Sequence, residues 1–501
     1  MKALKTIQFI LTFLLLNLIN PLMINAQTHT DKIHLWLLQN KGISHAIDSL
    51  SNIYSKQREM DNLNPVIISY TILQWDEAWE VFKDDSSFKK KAREVGTPDI
   101  IQVPSTWAAH FADQRFIIPL RYNWINSNIY PQKAWKTCEL VENEVFCVPW
   151  IIESRALFYR KDVFSAASID QVPQTWEELE KLSRRLRKQG IRIDIDIRKI
   201  SDEYVFIPYE KGKRKIKPLA ITSVFDLGWN VIHNIIAPHY WSRGRTLDKL
   251  LTAKSIAEEM KEDILFETDL FIKNMSTEAF PTYWRELEDD FIRGKYAMHF
   301  SGPWLVNMLE EIWGQNWTDF FGIAPIPGGA FGHKSFIGGS NLGICRYSHS
   351  IENDEFLNEL SNFLQFLTTD QQAQYINAKL ISQFPALNEC LASIENSSVW
   401  GTFLSRIQWE NYPITPAWFW LERELPEQIK RIITGNICIK LFYSFKITLK
   451  KIIQSPYFAL ITILSFIFSI ITFILGLMYG RQIMIIRRWR IIIRLPKKRS
   501  T

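Results

Sequence analysis

The sequence predicts an α/β protein built on a mostly parallel sheet and divided into two lobes or domains. Short runs rich in β-branched residues alternate with amphipathic helical segments, which is the rhythm of βαβ units. The stretch between the two chain ends, residues 27–455, is also too long to fold around one hydrophobic core. Apolar segments at both ends add the expectation that this stretch lies outside the cytoplasm.

The first part of the chain shows the βαβ rhythm most clearly. Apolar runs at residues 32–38, 64–73 and 97–104 predict three strands. An amphipathic segment at residues 43–59 predicts the helix that connects the first two strands. These elements together predict parallel pairing at the start of the sheet.

The stretch "TWEELEKLSRRLRKQG" predicts a helix with both ends specified. Thr175 is the predicted N-cap, and Glu178 stands at the capping-box position three residues later. Gly190 is the predicted stop, because glycine readily adopts the left-handed conformation that ends many helices.

The second part of the chain returns to alternating elements. Residues 321–329 and 335–345 have strand-and-turn composition, and residues 353–379 carry apolar side chains at helical spacing. Residues 191–217 are charged and irregular, and are expected to form a solvated excursion.

The chain ends predict export and a membrane anchor. Residues 1–26 resemble a secretory signal, with an uncleaved N-terminal anchor as the alternative. Residues 456–480 lie within a long uncharged run and predict a transmembrane helix, preceded by a juxtamembrane stalk at 437–455. The tail at 481–501 has eight basic and no acidic residues, which predicts a cytoplasmic C-terminus.

The charge balance argues against nucleic acid as a partner. The whole chain has a net charge of +6, but the signal and the tail hold ten of its 59 basic residues. Residues 27–455 therefore carry 49 basic residues against all 53 acidic ones. A nucleic-acid-binding domain needs a basic face to neutralise phosphates, and this segment is slightly acidic.

Cys138 and Cys147 are predicted to be either a disulfide pair or two free, buried thiols. They lie symmetrically about a possible two-residue turn at Glu142 and Asn143. In such a hairpin they would form a directly opposed, non-hydrogen-bonded pair, whose close Cα spacing suits a bridge. The pattern leaves both alternatives open.

Motifs for metal, nucleotide and hydrolytic chemistry are absent from the sequence. It has no GxGxxG after a strand, no GxxxxGK[ST] loop, no HExxH, no CxxC and no GxSxG. We therefore predict no catalytic residue, no metal and no cofactor. Adjacent acidic residues such as Asp289 and Asp290 are interpreted as solvated helix faces.

Tryptophan is abundant, and this favours sugar recognition. Many of the 19 tryptophans stand beside turns or strand ends rather than inside apolar periodicities. A flat indole face can pack against a pyranose ring while nearby carboxylates and amides bind its hydroxyl groups. The alternative for each tryptophan is a place in the core.

Eight motifs follow one another along the chain: "GTPDIIQVPSTW", "VFCVPWIIESRALFYRKDVF", "VPQTWEEL", "GKYAMHFSGPW", "FGIAPIPGG", "SFIGGSNLGI", "FLQFLTTDQQAQYI" and "AWFWLERELPEQIKRIITG". In this order they resemble the extracellular solute-binding proteins of the family that includes maltose-binding protein, the capture subunits of carbohydrate ABC importers. The resemblance implies a type II periplasmic-binding-protein fold, in which crossing strands join two α/β lobes around a ligand cleft. It implies an N-lobe at 27–148 and 326–385, and a C-lobe at 149–325 and 386–436.

The resemblance and the strand ends together predict the ligand-binding residues. Glu153 matches a family sugar-binding carboxylate, Trp304 a stacking tryptophan, and Phe419 part of an aromatic wall. The predicted set is Asn40, Lys41, Trp75, Trp107, Trp150, Glu153, Tyr159, Trp304, Phe419, Trp420 and Arg423.

The implied function is capture of a carbohydrate by lobe closure and its delivery to an ABC importer permease. Lipid-anchored family members carry a cysteine just after the signal, whereas this chain has none before Cys138. The predicted C-terminal helix would instead tether the lobes to the lipid bilayer. The alternative is a sensing ectodomain that signals through a membrane partner subunit; a glycan-cleaving enzyme is the weakest interpretation, since no carboxylate pair stands out.

Overall fold

The computed structural model describes most of the chain between residues 31 and 431. The described residues are 31–190, 192–193, 195–200, 203–208, 214–215, 232–247, 249, 259–266, 284–348, 351–397, 399–425, 428 and 431. The chain divides into two units, Met1–Lys430 and Arg431–Thr501, and the architecture below is that of the first.

Strands and helices alternate along the first unit. The strands are β1 Asp31–Leu38, β2 Val66–Leu73, β3 Ile100–Pro104, β4 Val148–Glu153, β5 Ala156–Arg160, β6 Arg192–Ile193, β7 Ile195–Ile200, β8 Glu203–Pro208, β9 Arg214–Lys215, β10 Met298–Ser301, β11 Phe321–Ala324, β12 Lys334–Phe336, β13 Gly338–Ile344, β14 Phe384–Pro385 and β15 Gln408–Glu410. The α-helices are α1 Ile43–Met60, α2 Trp75–Phe82, α3 Asp85–Val95, α4 Ala108–Asp113, α5 Gln132–Trp135, α6 Lys161–Ala166, α7 Trp176–Gln189, α8 Ala237–Ser242, α9 Trp284–Ile292, α10 Trp304–Trp313, α11 Trp317–Phe320, α12 Asp354–Thr369, α13 Gln371–Ile381, α14 Asn388–Ser397 and α15 Gly401–Leu404. Short 3-10 helices lie at Ser127–Ile129, Val141–Asn143 and Gly314–Asn316, a π-helix at Ile232–Ile236, and a helix at residues 416–425.

The larger sheet defines the N-lobe. Among the described strands, its order is β14-β4-β13-β3-β1-β2. Side chains of β1 alternate between two apolar layers, as the period of a strand requires. Ile33 and Leu35 face a layer that includes α1, whereas Trp36 and Leu38 face a layer that includes Phe82. The sheet is therefore covered on both faces.

The smaller sheet, of order β10-β5-β11, defines the C-lobe. Strands β4 and β5 belong to different sheets, and only Ser154 and Arg155 separate them. The chain crosses again between β11 and β13, where β12 pairs in parallel with β15. These crossings join two lobes in the way that the sequence predicts, so the two-lobed α/β fold is confirmed.

The predicted pairing is right for the first strands and wrong for the later ones. Strand β1 pairs in parallel with both β2 and β3. Strand β13 is antiparallel to β3 and β4, and β5 is antiparallel to both of its neighbours. The larger sheet is thus mixed, because strands that return from the other lobe enter it in the opposite direction.

Helix α7 confirms the local predictions in detail. The Thr175 side chain accepts from the Glu178 amide, Glu178 completes the capping box, and Gly190 adopts the left-handed conformation at φ 63°.

The predicted helix at residues 353–379 is instead two helices, α12 and α13. Asp370 interrupts it, since its carboxylate caps α13 by accepting from the Ala373 amide.

The charged stretch after α7 is more regular than predicted. Strands β7 and β8 form an antiparallel ladder from Ile195↔Pro208 to Ile200↔Glu203, and β6 pairs with β9 outside it. The prediction of an irregular excursion is wrong for these strands. Alternation of isoleucine with charged residues in "IDIRKI" is the strand signal that the charge count obscured.

The segment that carries Cys138 and Cys147 folds differently from the predicted hairpin. A 3-10 turn replaces the two-residue turn, and Glu139 rather than Cys138 has a directly opposed partner, Val145. The register is therefore shifted by one residue. Both cysteines are buried and free in the structure, and the bridge stays one of the two predicted alternatives. Burial and the neighbouring Cys147 thiol raise the pKa of Cys138 well above its usual value.

The predicted anchors at residues 1–26 and 456–480 lie outside the described residues. Within the described part of the chain, no helix combines the length and the apolar character that crossing a bilayer requires.

Candidate ligand-binding site

Trp304 opens helix α10, and only Gly302 and Pro303 separate it from the end of β10. It lies at the lobe junction, beside Arg155 of the crossing between β4 and β5. Its indole N–H donates to Glu288 Oε1 at 2.6 Å, and Ser301 Oγ donates to the same oxygen at 2.7 Å. Glu288 lies on α9 and is buried. Burial raises the pKa of its carboxyl group to about 7 despite these two donors.

Arg155 supports the other face of this cluster. Its guanidinium carbon lies 4.6 Å from the Trp304 ring centre and 4.9 Å from that of Phe336, in cation–π geometry. It donates to Asn234 Oδ1 at 3.1 Å, and one of its nitrogens lies 3.7 Å from Glu153 Oε1. We call Glu153, Arg155, Glu288 and Trp304 the Trp304 region. It holds a partly exposed carboxylate and an indole on one side of the junction.

A second aromatic cluster lies on the N-lobe side of the junction. Trp107, which follows β3, contacts Trp75 edge-on with ring centres 5.9 Å apart. Its indole N–H donates to Glu422 Oε2 at 3.1 Å. Glu422 is partly buried as a residue, but desolvation of its carboxyl group raises its pKa to about 7. We call Trp75, Trp79, Trp107, Phe419 and Glu422 the Trp107 region.

Phe419 fills the centre of the Trp107 region rather than standing open in the cleft. Its ring is parallel to Trp79 at 5.2 Å and to His110 at 3.9 Å, and it is fully buried. The prediction of Phe419 as a ligand-facing wall is therefore wrong for this conformation, since the N-lobe covers its ring. Its neighbour Trp420 is 44% exposed and Arg423 is also exposed.

The residues after β1 lie beside Trp75. Its indole N–H donates to the Gln39 carbonyl at 3.0 Å, and 47% of the residue is exposed. Lys41 forms a 2.6 Å ion pair with Glu311 of α10, which links the two lobes at the surface. Asn40 is half-buried, and its carbonyl accepts from the first residue of α1.

Gly42, just before α1, is required by geometry. Its φ is 83°, and a Cβ there would come within 2.1 Å of the Leu380 carbonyl oxygen. The α1 N-terminus is thus packed closely against the end of α13.

Trp150 is a core residue, contrary to the prediction. It is fully buried among apolar side chains of the main core. It lies at an irregularity of β4, where Pro149 and Ile151 pair with the adjacent residues Asn341 and Ser340. Such a bulge re-aims a side chain, and here the indole turns into the core.

Tyr159 is also separated from the other predicted residues. Ser301, which shares the Glu288 contact with Trp304, pairs with Ala156, whereas Tyr159 pairs with Met298 towards the other end of β5. Three residues along a strand span about 10 Å. The Tyr159 ring packs against Phe164 instead, at the edge of the C-lobe core.

The structure thus brings together Glu153 with Trp304, and Trp75 with Trp107, but leaves Trp150 and Tyr159 apart. Sequence reasoning missed Arg155, Glu288 and Glu422. Arg155 is the one charged residue in "SRALF" and is followed by three apolar residues, which is a detectable signal. Glu288, in contrast, is hidden in the acidic run "ELEDD".

In the part of the chain that the structure describes, no three His, Cys, Asp or Glu side chains are grouped so that they could hold a metal ion.

The fold and the junction define a two-lobed binding protein. The family model for bacterial extracellular solute-binding proteins matches residues 79–374. This match covers more than half of the sequence, so the chain belongs to the bacterial extracellular solute-binding protein family.

Individual relatives are distant. A binding protein of Brucella abortus is 21% identical over 279 residues, which is 55% of this chain and 59% of the relative. The chain therefore spans less than two thirds of that relative's length. The crystal structure of the GacH receptor of Streptomyces glaucescens has a TM-score of 0.61 at 17% identity, covering 81% of this chain and 94% of the other. The sugar-binding protein MalE of Xanthomonas citri also has a TM-score of 0.61, at 19% identity, covering 81% and 92%. At these identities the likeness concerns the fold.

Proposed function

We propose that the protein captures an oligosaccharide between its two lobes and delivers it to an ABC importer. The observation that carries this proposal is the series of aromatic rings at the lobe junction. Trp75 and Trp420 are exposed at its ends, and rings of Trp107, Phe419 and Trp79 connect them. Exposed indole faces can pack against the C–H faces of successive pyranose rings.

The Trp304 region supplies the polar half of the proposed site. Glu153 is an acceptor for sugar hydroxyl groups, and Arg155 and Glu288 hold Trp304 in one orientation. A side chain that is already oriented loses little conformational freedom when it binds. Proteins of this fold have been solved with acarbose, cycloalternan and mannotriose, which supports a carbohydrate as the ligand class.

We further propose that residues 456–480 tether the lobes to the cytoplasmic membrane. Tethering raises the effective concentration of the captured solute beside its importer. No covalent step is involved, since closure needs only a higher affinity of the ligand for the closed form.

A sensing ectodomain is the second candidate. One observation favours it: the helix at residues 416–425 contacts the N-lobe and leads directly into the C-terminal segment. The helix that contacts the N-lobe on closure is thus followed in the sequence by the predicted membrane helix. Cross-linking in native membranes separates the two functions, because capture predicts a permease partner and sensing predicts a kinase or a regulator.

Calorimetry of the full-length chain in detergent, against maltotriose, mannotriose and cellotriose, tests carbohydrate binding. We expect one glycan to bind and Trp304→Ala to weaken it by about 1 to 3 kcal/mol, the usual range for a lost buried aromatic contact. Trp124→Ala is the matched control, since Trp124 packs on Tyr122 and donates to Ser361 within the N-lobe. Absence of binding to all three glycans argues against the ligand class, and unchanged affinity of Trp304→Ala removes that residue from the site.

A further inference from the structure

The helix at residues 416–425 places two neighbouring side chains in different lobes. Trp418 stacks on Tyr412 with ring centres 5.1 Å apart. The Tyr412 hydroxyl is hydrogen-bonded to His233 Nδ1 at 2.7 Å. His233 lies in the π-helix whose Ile235 packs in the C-lobe core. Trp418 is therefore fixed on the C-lobe side of the junction.

Phe419, the next residue, is fixed on the N-lobe side. It belongs to the apolar cluster that covers one face of the larger sheet, together with Trp36 and Phe82. Successive residues of a helix point about 100° apart, so one helix can reach both lobes only if it lies between them. Trp418 and Phe419 are both fully buried, which leaves neither contact at the surface.

Two polar side chains of the same helix contact the N-lobe. Glu422 accepts from the Trp107 indole, as described above. The Arg423 guanidinium carbon lies 3.8 Å from the Trp79 ring centre, and Arg423 Nη2 is 3.3 Å from Glu80 Oε1. The helix thus presents two aromatic rings, those of Phe419 and Trp420, together with one carboxylate and one cation to complementary groups of the N-lobe. All of these partners belong to the chain itself.

We propose that the helix at residues 416–425 is a latch by which the protein's own side chains hold the two lobes together when no solute is bound. Every one of these contacts joins side chains of the chain itself, so none of them requires a ligand that bridges the lobes. Opening of the cleft must withdraw Phe419 from between its N-lobe neighbours. Because the proposal concerns closure alone, it stands independently of the ligand class.

Pulsed electron paramagnetic resonance on the solute-free, full-length chain measures this closure directly. Spin labels at Lys90→Cys on α3 and Glu177→Cys on α7 report the distance between the lobes, because both positions are exposed and each lies on one lobe. The unsubstituted chain controls for labelling of native cysteines. We expect one narrow distance distribution for the labelled parent and a shift to longer distances with Phe419→Ala. Phe88→Ala is the matched control, since it removes a ring of the same cluster that contacts only N-lobe residues among the described rings.

Charge reversal gives a second readout that does not depend on the core. Arg423→Glu removes the cation over Trp79 and repels Glu80, and Arg423 is exposed, so folding is expected to survive. We expect a partial shift in the same direction. If Phe419→Ala does not fold, this variant decides. Unchanged distances in every folded latch variant, or an equal shift in Phe88→Ala, overturn the proposal.

Discussion

The Trp304 region and the Trp107 region use the same pair of groups in different ways. In each, an indole N–H donates to a desolvated glutamate, Trp304 to Glu288 at 2.6 Å and Trp107 to Glu422 at 3.1 Å. The first pair is 16 residues apart within the C-lobe, whereas 315 residues separate the second. The first is therefore preassembled, and the second exists only while the helix at residues 416–425 contacts the N-lobe.

The two regions therefore contribute to the proposed binding in different ways. A preassembled indole and carboxylate give a surface whose shape does not depend on lobe position. A pair formed across the junction contributes its energy only to the closed state, and such differential contacts are what shift a two-state equilibrium.

Removal of Arg155 is the strongest test of the preassembled region. Arg155 is 4% exposed and stacks between Trp304 and Phe336 while it faces Glu153 and Glu288. Loss of one partner from a buried charge cluster costs about 3 to 5 kcal/mol. We expect Arg155→Ala to lower the free energy of unfolding by that amount, as measured by urea titration. Arg184→Ala is the control, because Arg184 is exposed and its i,i+4 pair with Glu180 on a helix surface contributes about 0.5 kcal/mol or less. A loss no larger than that of the control would show that the cluster is not preassembled.

The pH dependence of stability tests the desolvation of Glu288. Its pKa is about 7 in the folded chain against a reference of 4.5, so the folded state binds its proton more tightly than the unfolded state does. The stability associated with this proton is complete below about pH 4.5 and is lost as the pH rises through 7. One pKa unit corresponds to about 1.4 kcal/mol, so the loss is about 3 kcal/mol.

We expect Glu288→Gln to remove this share of the pH dependence of the free energy of unfolding between pH 5 and pH 8. The measurement is urea unfolding at each pH, monitored by tryptophan fluorescence. Glu422→Gln should remove a separate share of the same sign, because the pKa of Glu422 is raised in the same direction. Equal slopes for the parent and Glu288→Gln would contradict a desolvated carboxyl group.

The surface contact between the lobes should matter least. Lys41 and Glu311 are more than half exposed, and such ion pairs contribute about 0 to 1 kcal/mol. We expect Lys41→Ala to change the melting temperature slightly at low salt and not at all in 1 M salt, where charges on the surface are screened. A large, salt-independent loss would mean that lobe contact depends on this pair more than on the aromatic latch.

Local interactions explain what could be predicted about the fold. Both ends of α7 could be predicted from the sequence, because the capping box of Thr175 and Glu178 and the glycine stop at Gly190 depend on residues close together in the chain. The parallel pairing at the start of the N-lobe could be predicted for the same reason, since β1 and β2 flank one amphipathic helix. The antiparallel half of the sheet could not be predicted in this way, because its pairing is set by strands that return from the other lobe.

The same distinction between local and long-range interactions applies to the candidate site. Sequence pattern and the family resemblance together predict that Trp75, Trp107, Trp304 and Glu153 belong to one recognition surface, and this stays a prediction. Only the tertiary structure decided which rings remain exposed. The bulge in β4 turned Trp150 into the core, and contact with the N-lobe buried Phe419. The physical reason is that composition and order fix the chemistry of a side chain, whereas its burial depends on neighbours hundreds of residues away in the chain.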